Sequence, residues 1–137
     1  MLPLRYIGRW QIASLFLLTF VLAAALMPAF WFLDDKATAL SWFERNDKWL
    51  HGFTFLMLSM WFTGLYNTKA YWRIGIGLLV FGLIIEACQR MVGYRTADWL
   101  DVGANTAGII LGLAIGAAGI GGWCVRAEQR LAKQRSD

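Results

Sequence analysis

Two uncharged runs constrain this chain more than anything else in it. Ile12 to Leu33 is 22 residues long, Val102 to Val125 is 24, and neither contains an Asp, Glu, Lys or Arg. A helix rises about 1.5 Å per residue, so about 20 apolar residues cross the roughly 30 Å of hydrocarbon in a bilayer. Each run is long enough to span. Together they make up a third of a 137-residue chain, which leaves too little polar surface to cover them in water. Charged residues are 16% of the whole, against roughly a quarter in soluble domains. A disordered chain is excluded on these grounds, and a water-soluble single domain is disfavoured.

Two further spans are less clean. Trp49 to Tyr66 has His51 as its only ionisable group, and Ile74 to Ile85 reaches bilayer length only if it begins near Tyr71 and carries Glu86 and Gln89 inside its outer end. The fold expected is an all-α polytopic membrane protein, a small bundle of four transmembrane helices at roughly 10–33, 48–66, 71–90 and 98–125 within one domain, 1–137. The runs lack the alternation of a barrel strand. A cleaved signal peptide with Arg5 and Arg9 ahead of Ala23–Ala25 is the rival for the first span. The apolar run continues past it through Phe30, Trp31 and Phe32, longer than a signal's apolar region.

Charge placement sets the expected orientation. Eight Lys and Arg fall in the two tails and the loop at Lys69 and Arg73, against five in the other two loops; seven of the nine acids fall on that second side. Cytoplasmic loops are enriched in Lys and Arg, so both termini are expected inside. Trp10, Trp31, Trp42, Trp49, Trp72, Trp99 and Trp123 lie near span ends, as an aromatic belt requires, and Trp61 lies deeper. The outer stretch Asp34 to Asp47 is expected to hold a short surface helix capped by Asp35, with Leu40, Trp42 and Phe43 toward lipid. Arg126 to Asp137 is expected to be a frayed charged tail.

Three polar clusters then fall at the outer ends of the last three helices. Asp47 and His51 are four apart at the opening of the second helix, on one face, with Lys48 beside them. Glu86 and Gln89 are three apart at the close of the third. A carboxylate at that depth is costly and needs a partner, either Arg90 or Arg95 in an ion pair or a ligand. On the fourth helix Asp98, Asp101, Asn105, Gly108 and Gly112 follow steps of three and four and form one stripe. Asp98 suits an N-cap, and Arg95 just outside suits a carboxylate or phosphate. Ala104, Gly108, Gly112 and Gly116 form a small-residue ladder, a packing seam or a face for a second copy.

In this order the three segments resemble the VanZ-like family of small bacterial membrane proteins. The residues that carry the resemblance are Asp47, Lys48, His51, Glu86, Gln89, Arg95, Asp98, Asp101, Asn105 and Gly108, over about half of the chain. The resemblance implies a multi-pass protein of the bacterial plasma membrane. The family's namesake is linked to reduced susceptibility to teicoplanin; the resemblance implies a set of positions rather than a reaction.

The ligand-binding set expected from the residues is Asp47, Lys48, His51, Glu86, Gln89, Arg95, Asp98, Asp101 and Asn105. The first functional expectation is a cell-envelope protein whose outward pocket binds or processes a lipid-linked wall precursor, a lipid head group or a lipoglycopeptide. The second is a membrane-embedded enzyme with His51, Asp47 and Glu86 as catalytic candidates. The third is a proton or ion pathway, for which the inner halves of the helices are poor in polar groups. No cofactor and no metal ligand is assigned, although one His among several carboxylates is chemistry that takes Mg²⁺, Mn²⁺ or Ca²⁺. Nucleic acid is not an expected partner; membrane lipids are. Cys88 and Cys124 fall at opposite span ends, too far apart for a disulfide.

Overall fold

In a computed structural model of the chain, residues 1–27, 36–91 and 98–134 are described, those from 36 to 45 by backbone alone. Every regular element among them is helical: α1 (Ile7–Leu26), α2 (Lys36–Leu65), α3 (Tyr71–Met91), α4 (Trp99–Ile115) and α5 (Trp123–Gln134), with a 3₁₀ turn at Thr68–Ala70 and a π turn at Gly116–Ile120. Three helical stretches are long and apolar enough to cross a membrane: Ile7–Leu26, Thr68–Met91 and Trp99–Ile120. The remaining expected span, inside α2, carries Lys48 and His51 in its first turn and dilutes its apolar residues with Gly, Thr and Ser.

The third span runs as expected. The others depart from the sequence reading in ways with plain causes. The first helix closes at Met27, which leaves the α region; its expected continuation to Leu33 lies outside the described residues. The second helix begins at Lys36, twelve residues early, because no Gly or Pro interrupts the chain between Lys36 and His51. The separate surface helix is therefore corrected: that stretch is the first third of α2, and the proposed Asp35 cap lies outside the described residues. Asp47 accordingly sits inside a helix, away from any helix N-terminus. The fourth span does not run on to Val125. It breaks where Gly119 adopts φ 122° and Gly122 φ 73°, conformations open to glycine, and the chain turns into α5.

α2 and α4 are the closest pair, and glycine makes their approach possible. A Cβ at Gly108 would strike the carbonyl oxygen of Gly52. One at Gly112 would stand 2.6 Å from Ser59 Cβ and 2.7 Å from Leu56 O, and one at Gly116 2.7 Å from Thr63 Cβ. Of the two expectations for the small-residue ladder, a packing seam or a face for a second copy, Gly108, Gly112 and Gly116 form a seam against α2 of the same chain. Around this seam Phe55, Leu58, Tyr71, Ile74, Leu78, Ile85 and Ile109 form the core, with α1 leaning on it through Leu17, Leu18, Val21 and Leu22. The outer faces stay apolar: Ile12, Leu15, Phe16 and Phe20 of α1 are all more than half exposed. Large exposed apolar surface of this kind is what lipid, not water, would cover.

The far end of the bundle is knit by the two ends of the described chain. Leu2 N–H donates to Leu65 O at 2.9 Å, and Gly122 N–H to Thr63 O at 2.9 Å. Trp10, Trp61 and Trp123 pack with ring centroids 5.6–5.7 Å apart. Two of the expected belt tryptophans are therefore in a packed cluster, whereas Trp49, Trp72 and Trp99 remain exposed. Glu128 of α5 accepts from Arg5 N–H (2.7 Å), Tyr6 N–H (3.1 Å) and Trp10 Nε1–H (2.8 Å). The expected frayed tail is thus a helix whose carboxylate sits at the N-terminus of α1, accepting from the N-cap residue Tyr6 and from Arg5 just before it, where a negative charge is favoured.

This contact makes a prediction. Burial pushes the Glu128 carboxyl up, but the three donors and Arg5 outweigh it and hold it below its ordinary value of 4.5. A carboxyl depressed on folding contributes stability above its unfolded value, and that contribution is lost as pH falls through the folded value. Glu128→Ala should cost about 1 kcal/mol, the usual cost of removing a cap. The difference from the parent protein should shrink as pH falls below 4.5. Thermal unfolding in detergent across that range checks both.

Candidate functional site

At the opposite end α2, α3 and α4 bring their polar residues together. α4 starts there because Asp98 is an N-cap: its side chain accepts Leu100 N–H at 3.1 Å, and that bond holds its carboxyl below the usual carboxylate range. One turn on, Asp101 is turned inward and buried at 2% exposure, and Asn105 follows at 1%. The stripe expected on this helix therefore divides: Asp98 caps at the rim, while Asp101 and Asn105 face the bundle. Lys48 spans the rim, 3.3 Å from Asp98 Oδ2 and 4.0 Å from Asp101 Oδ1.

His51 is the centre of the buried group. Its Nδ1 lies 3.1 Å from Asn105 Oδ1, which can only accept, so Nδ1 carries the hydrogen. Its Nε2 faces Asp47 Oδ1 at 3.7 Å and Glu86 Oε1 at 3.9 Å. Glu86 itself is 3% exposed, and neither of its oxygens has a hydrogen-bond partner; Asp101 Oδ1 and Asn105 Nδ2 are in the same condition. Ligand atoms of Asp47, His51 and Asp101 all lie within 4.8 Å of one another. These are the residues able to hold a cation.

Of the nine expected ligand-binding residues, Asp47, His51, Glu86, Asp101 and Asn105 converge, with Lys48 and Asp98 at the rim. Gln89 does not join them. It is buried, but its Nε2–H donates to Ala25 O at 3.0 Å and ties α3 to the end of α1. Arg95 lies outside the described residues. Arg90, one candidate partner for Glu86, stacks over Trp99 at 5.6 Å, and among the described residues Glu86's ion-pair partner is His51. The sequence reading missed Ser59, fully buried on α2 with its Oγ unpartnered and set against Gly112. A serine eight residues, just over two helical turns, after His51 was the available signal.

Two cavities lie elsewhere. One of about 500 Å³, between α1 and α5, is lined by Arg5, Tyr6, Arg9, Trp10 and Glu128. The other, about 510 Å³ and almost wholly apolar, lies among Leu17, Val21, Phe53, Met57, Trp61 and Trp123. Cys88 and Cys124 are both free thiols, as their separation required. In comparisons with known proteins, a family model described as VanZ/LLP1 matches residues 7–119. No curated protein and no solved structure matches.

Proposed function

The chain belongs to the VanZ/LLP1 family of membrane proteins, and on that premise we propose that it binds a lipid-linked or glycopeptide ligand of the bacterial envelope at the polar cluster around His51. The observation that carries this reading is the set of buried polar atoms without hydrogen-bond partners: both Glu86 oxygens, Asp101 Oδ1 and Asn105 Nδ2. An unpaired buried polar group costs about 1–3 kcal/mol, and ionisable groups at membrane depth are kept where a ligand uses them. Asp47 and His51, with Lys48 at the rim, supply donors and acceptors suited to hydroxyl, amide and phosphate groups.

In this reading α2 is the fourth span and both termini are cytoplasmic, so the cluster faces outward in the plasma membrane. The Arg5–Glu128 contact supports an even number of crossings, since it holds residues near both chain ends at one end of the bundle. Lys and Arg placement supports the inside assignment. The namesake's link to teicoplanin makes susceptibility to that antibiotic a phenotype to score.

Binding is tested by purifying the protein in mild detergent and measuring copurified lipid by mass spectrometry. The parent protein should retain a lipid-linked species, and His51→Ala and Asp101→Asn should retain at least tenfold less while still eluting as folded protein. Equal retention by the variants, or none by the parent, sinks the proposal. A second reading, acid–base catalysis on such a lipid, is favoured by one feature: Asn105 fixes the His51 tautomer so that its Nε2 lone pair points at the site, as a general base needs. A change in the bound lipid's structure, lost in His51→Ala, would identify it. An ion pathway ranks last, because Ser59 and Thr63 are the only buried polar side chains along the seam beyond His51 and Asn105 among the described residues.

A further inference from the structure

We propose that the cavity between α1 and α5, at the opposite end of the bundle from His51, holds the head group of an anionic phospholipid, with its phosphodiester between Arg5 and Arg9. Two faces at helical spacing build this cavity. Tyr6, Arg9, Trp10 and Ala13 line it from the start of α1, and Glu128, Leu131 and Ala132 from α5. Trp10 Nε1–H, bonded to Glu128 at 2.8 Å, ties the two faces together. The volume of about 500 Å³ falls in the usual range of ligand sites, about 300–1,000 Å³.

The charges in the cavity are unevenly matched. Arg5 stands over the Tyr6 ring at 5.5 Å, and Arg9 stands over the same ring at 4.9 Å. Among the described residues neither guanidinium makes an ion pair. The group of Arg5 that reaches Glu128 is its backbone N–H. The Glu128 oxygens are in turn taken by that N–H, by Tyr6 N–H and by the Trp10 indole. Two arginines against one glutamate leave the lining with a net charge of +1, the complement of a single phosphodiester. Two like charges gathered at one ring repel each other, and an anion between them relieves that. The planar guanidinium also suits phosphate, because it offers paired N–H donors to two oxygens at once. Arg126 on α5 is differently placed: its guanidinium is bonded to Ile120 O and Gly121 O.

The walls select a lipid over a free anion. Ala13, Leu131 and Ala132 are apolar, and Leu131 is 62% exposed. Deeper along α1, the face of Arg9 and Ala13 continues through Phe16 and Phe20, which are 72% and 60% exposed. One helix face thus passes from cation to bare aromatic surface, the order of charge and hydrocarbon in a phospholipid. Ile7–Leu26 is long and apolar enough to cross a bilayer, which puts Arg5 and Arg9 at its head-group end. α5 is itself an amphipathic helix bearing Arg126, Arg130 and Lys133, a pattern attracted to anionic lipid surfaces.

The full-length protein in detergent is titrated with phosphatidylglycerol and, separately, with phosphatidylcholine, which carries the same phosphodiester beside a compensating cation. Native mass spectrometry counts the lipids bound. One phosphatidylglycerol per chain should bind, at least about tenfold more tightly than phosphatidylcholine, the scale expected of two arginines beside an anionic lipid. The double variant Arg5→Gln, Arg9→Gln should lose that preference. Ala132→Trp fills the cavity with charge unchanged and should lose the binding itself. Arg73→Gln and Arg130→Gln remove charge outside the lining and should keep both. Equal affinity for the two lipids, or an undiminished preference in the double variant, overturns the proposal. So does an equal loss in Arg73→Gln or Arg130→Gln, which would reduce the effect to diffuse surface charge. Excess inorganic phosphate should leave the lipid bound; displacement would assign the arginines to a free anion and overturn the lipid. A lipid-linked species retained at the His51 cluster differs in mass from phosphatidylglycerol, so either reading can fail while the other stands.

Discussion

Gly108→Leu should leave no folded, monodisperse protein in detergent. Even the first atom of a side chain at this position would strike the Gly52 carbonyl and come within 3.0 Å of Leu56 N. Both obstacles are backbone, so no rotamer change relieves them, and α2 and α4 would have to separate. Overpacking a core with flexible neighbours costs about 1–3 kcal/mol; a backbone collision at the closest helix pair should exceed that and take the Asn105–His51 contact with it. Gly103, five residues earlier on α4, has nothing within 4 Å of an added Cβ. Gly103→Ala should therefore be neutral or stabilise by up to about 1 kcal/mol, the helix-propensity gain over glycine. Size-exclusion profiles and thermal midpoints of the two variants check the pair. Equal midpoints would mean that the seam is not what holds the bundle.

The same helix shows how far the sequence carried the argument. Steps of three and four along Asp98, Asp101, Asn105, Gly108 and Gly112 follow directly from helical geometry, and the inward stripe is there. Periodicity could not separate Asp98, which turns out as a cap, from Asp101, because one turn of helix puts both on the same face. The break after Ile115 was legible in retrospect: five glycines fall within Gly112 to Gly122, and two of them take positive φ. An uncharged run shows what can lie in lipid, not where a helix must stop. The Glu128 cap and the Gln89 bond to Ala25 join residues 122 and 64 positions apart or more along the chain, and local pattern carries no information at that range. Asp47 was misplaced for a different reason. Hydropathy marks the start of the apolar stretch, and the helix itself begins at Lys36, twelve residues ahead of the expected span.

Glu86→Leu should make the protein more stable and functionless. Glu86 is a carboxyl group at 3% exposure whose oxygens accept no hydrogen bond, and whose ion-pair partner among the described residues is a histidine 3.9 Å away. Ile85, next to it in the chain, belongs to the apolar core together with Phe55, both 1% exposed. Replacing whole buried ion pairs by apolar residues of similar volume is neutral or stabilising by about 1–4 kcal/mol. At 3.9 Å, with no hydrogen bond to either oxygen, the His51 contact has little to lose, so Leu removes a desolvation cost without leaving a cavity. A gain in stability of about 2 kcal/mol, read by thermal or denaturant unfolding, is expected by that precedent, together with loss of retained lipid. A group that served only to hold helices together would give the reverse sign. Stability that falls by a similar amount would show that Glu86 makes a structural ion pair with His51, and the buried acid would then need no ligand to account for it.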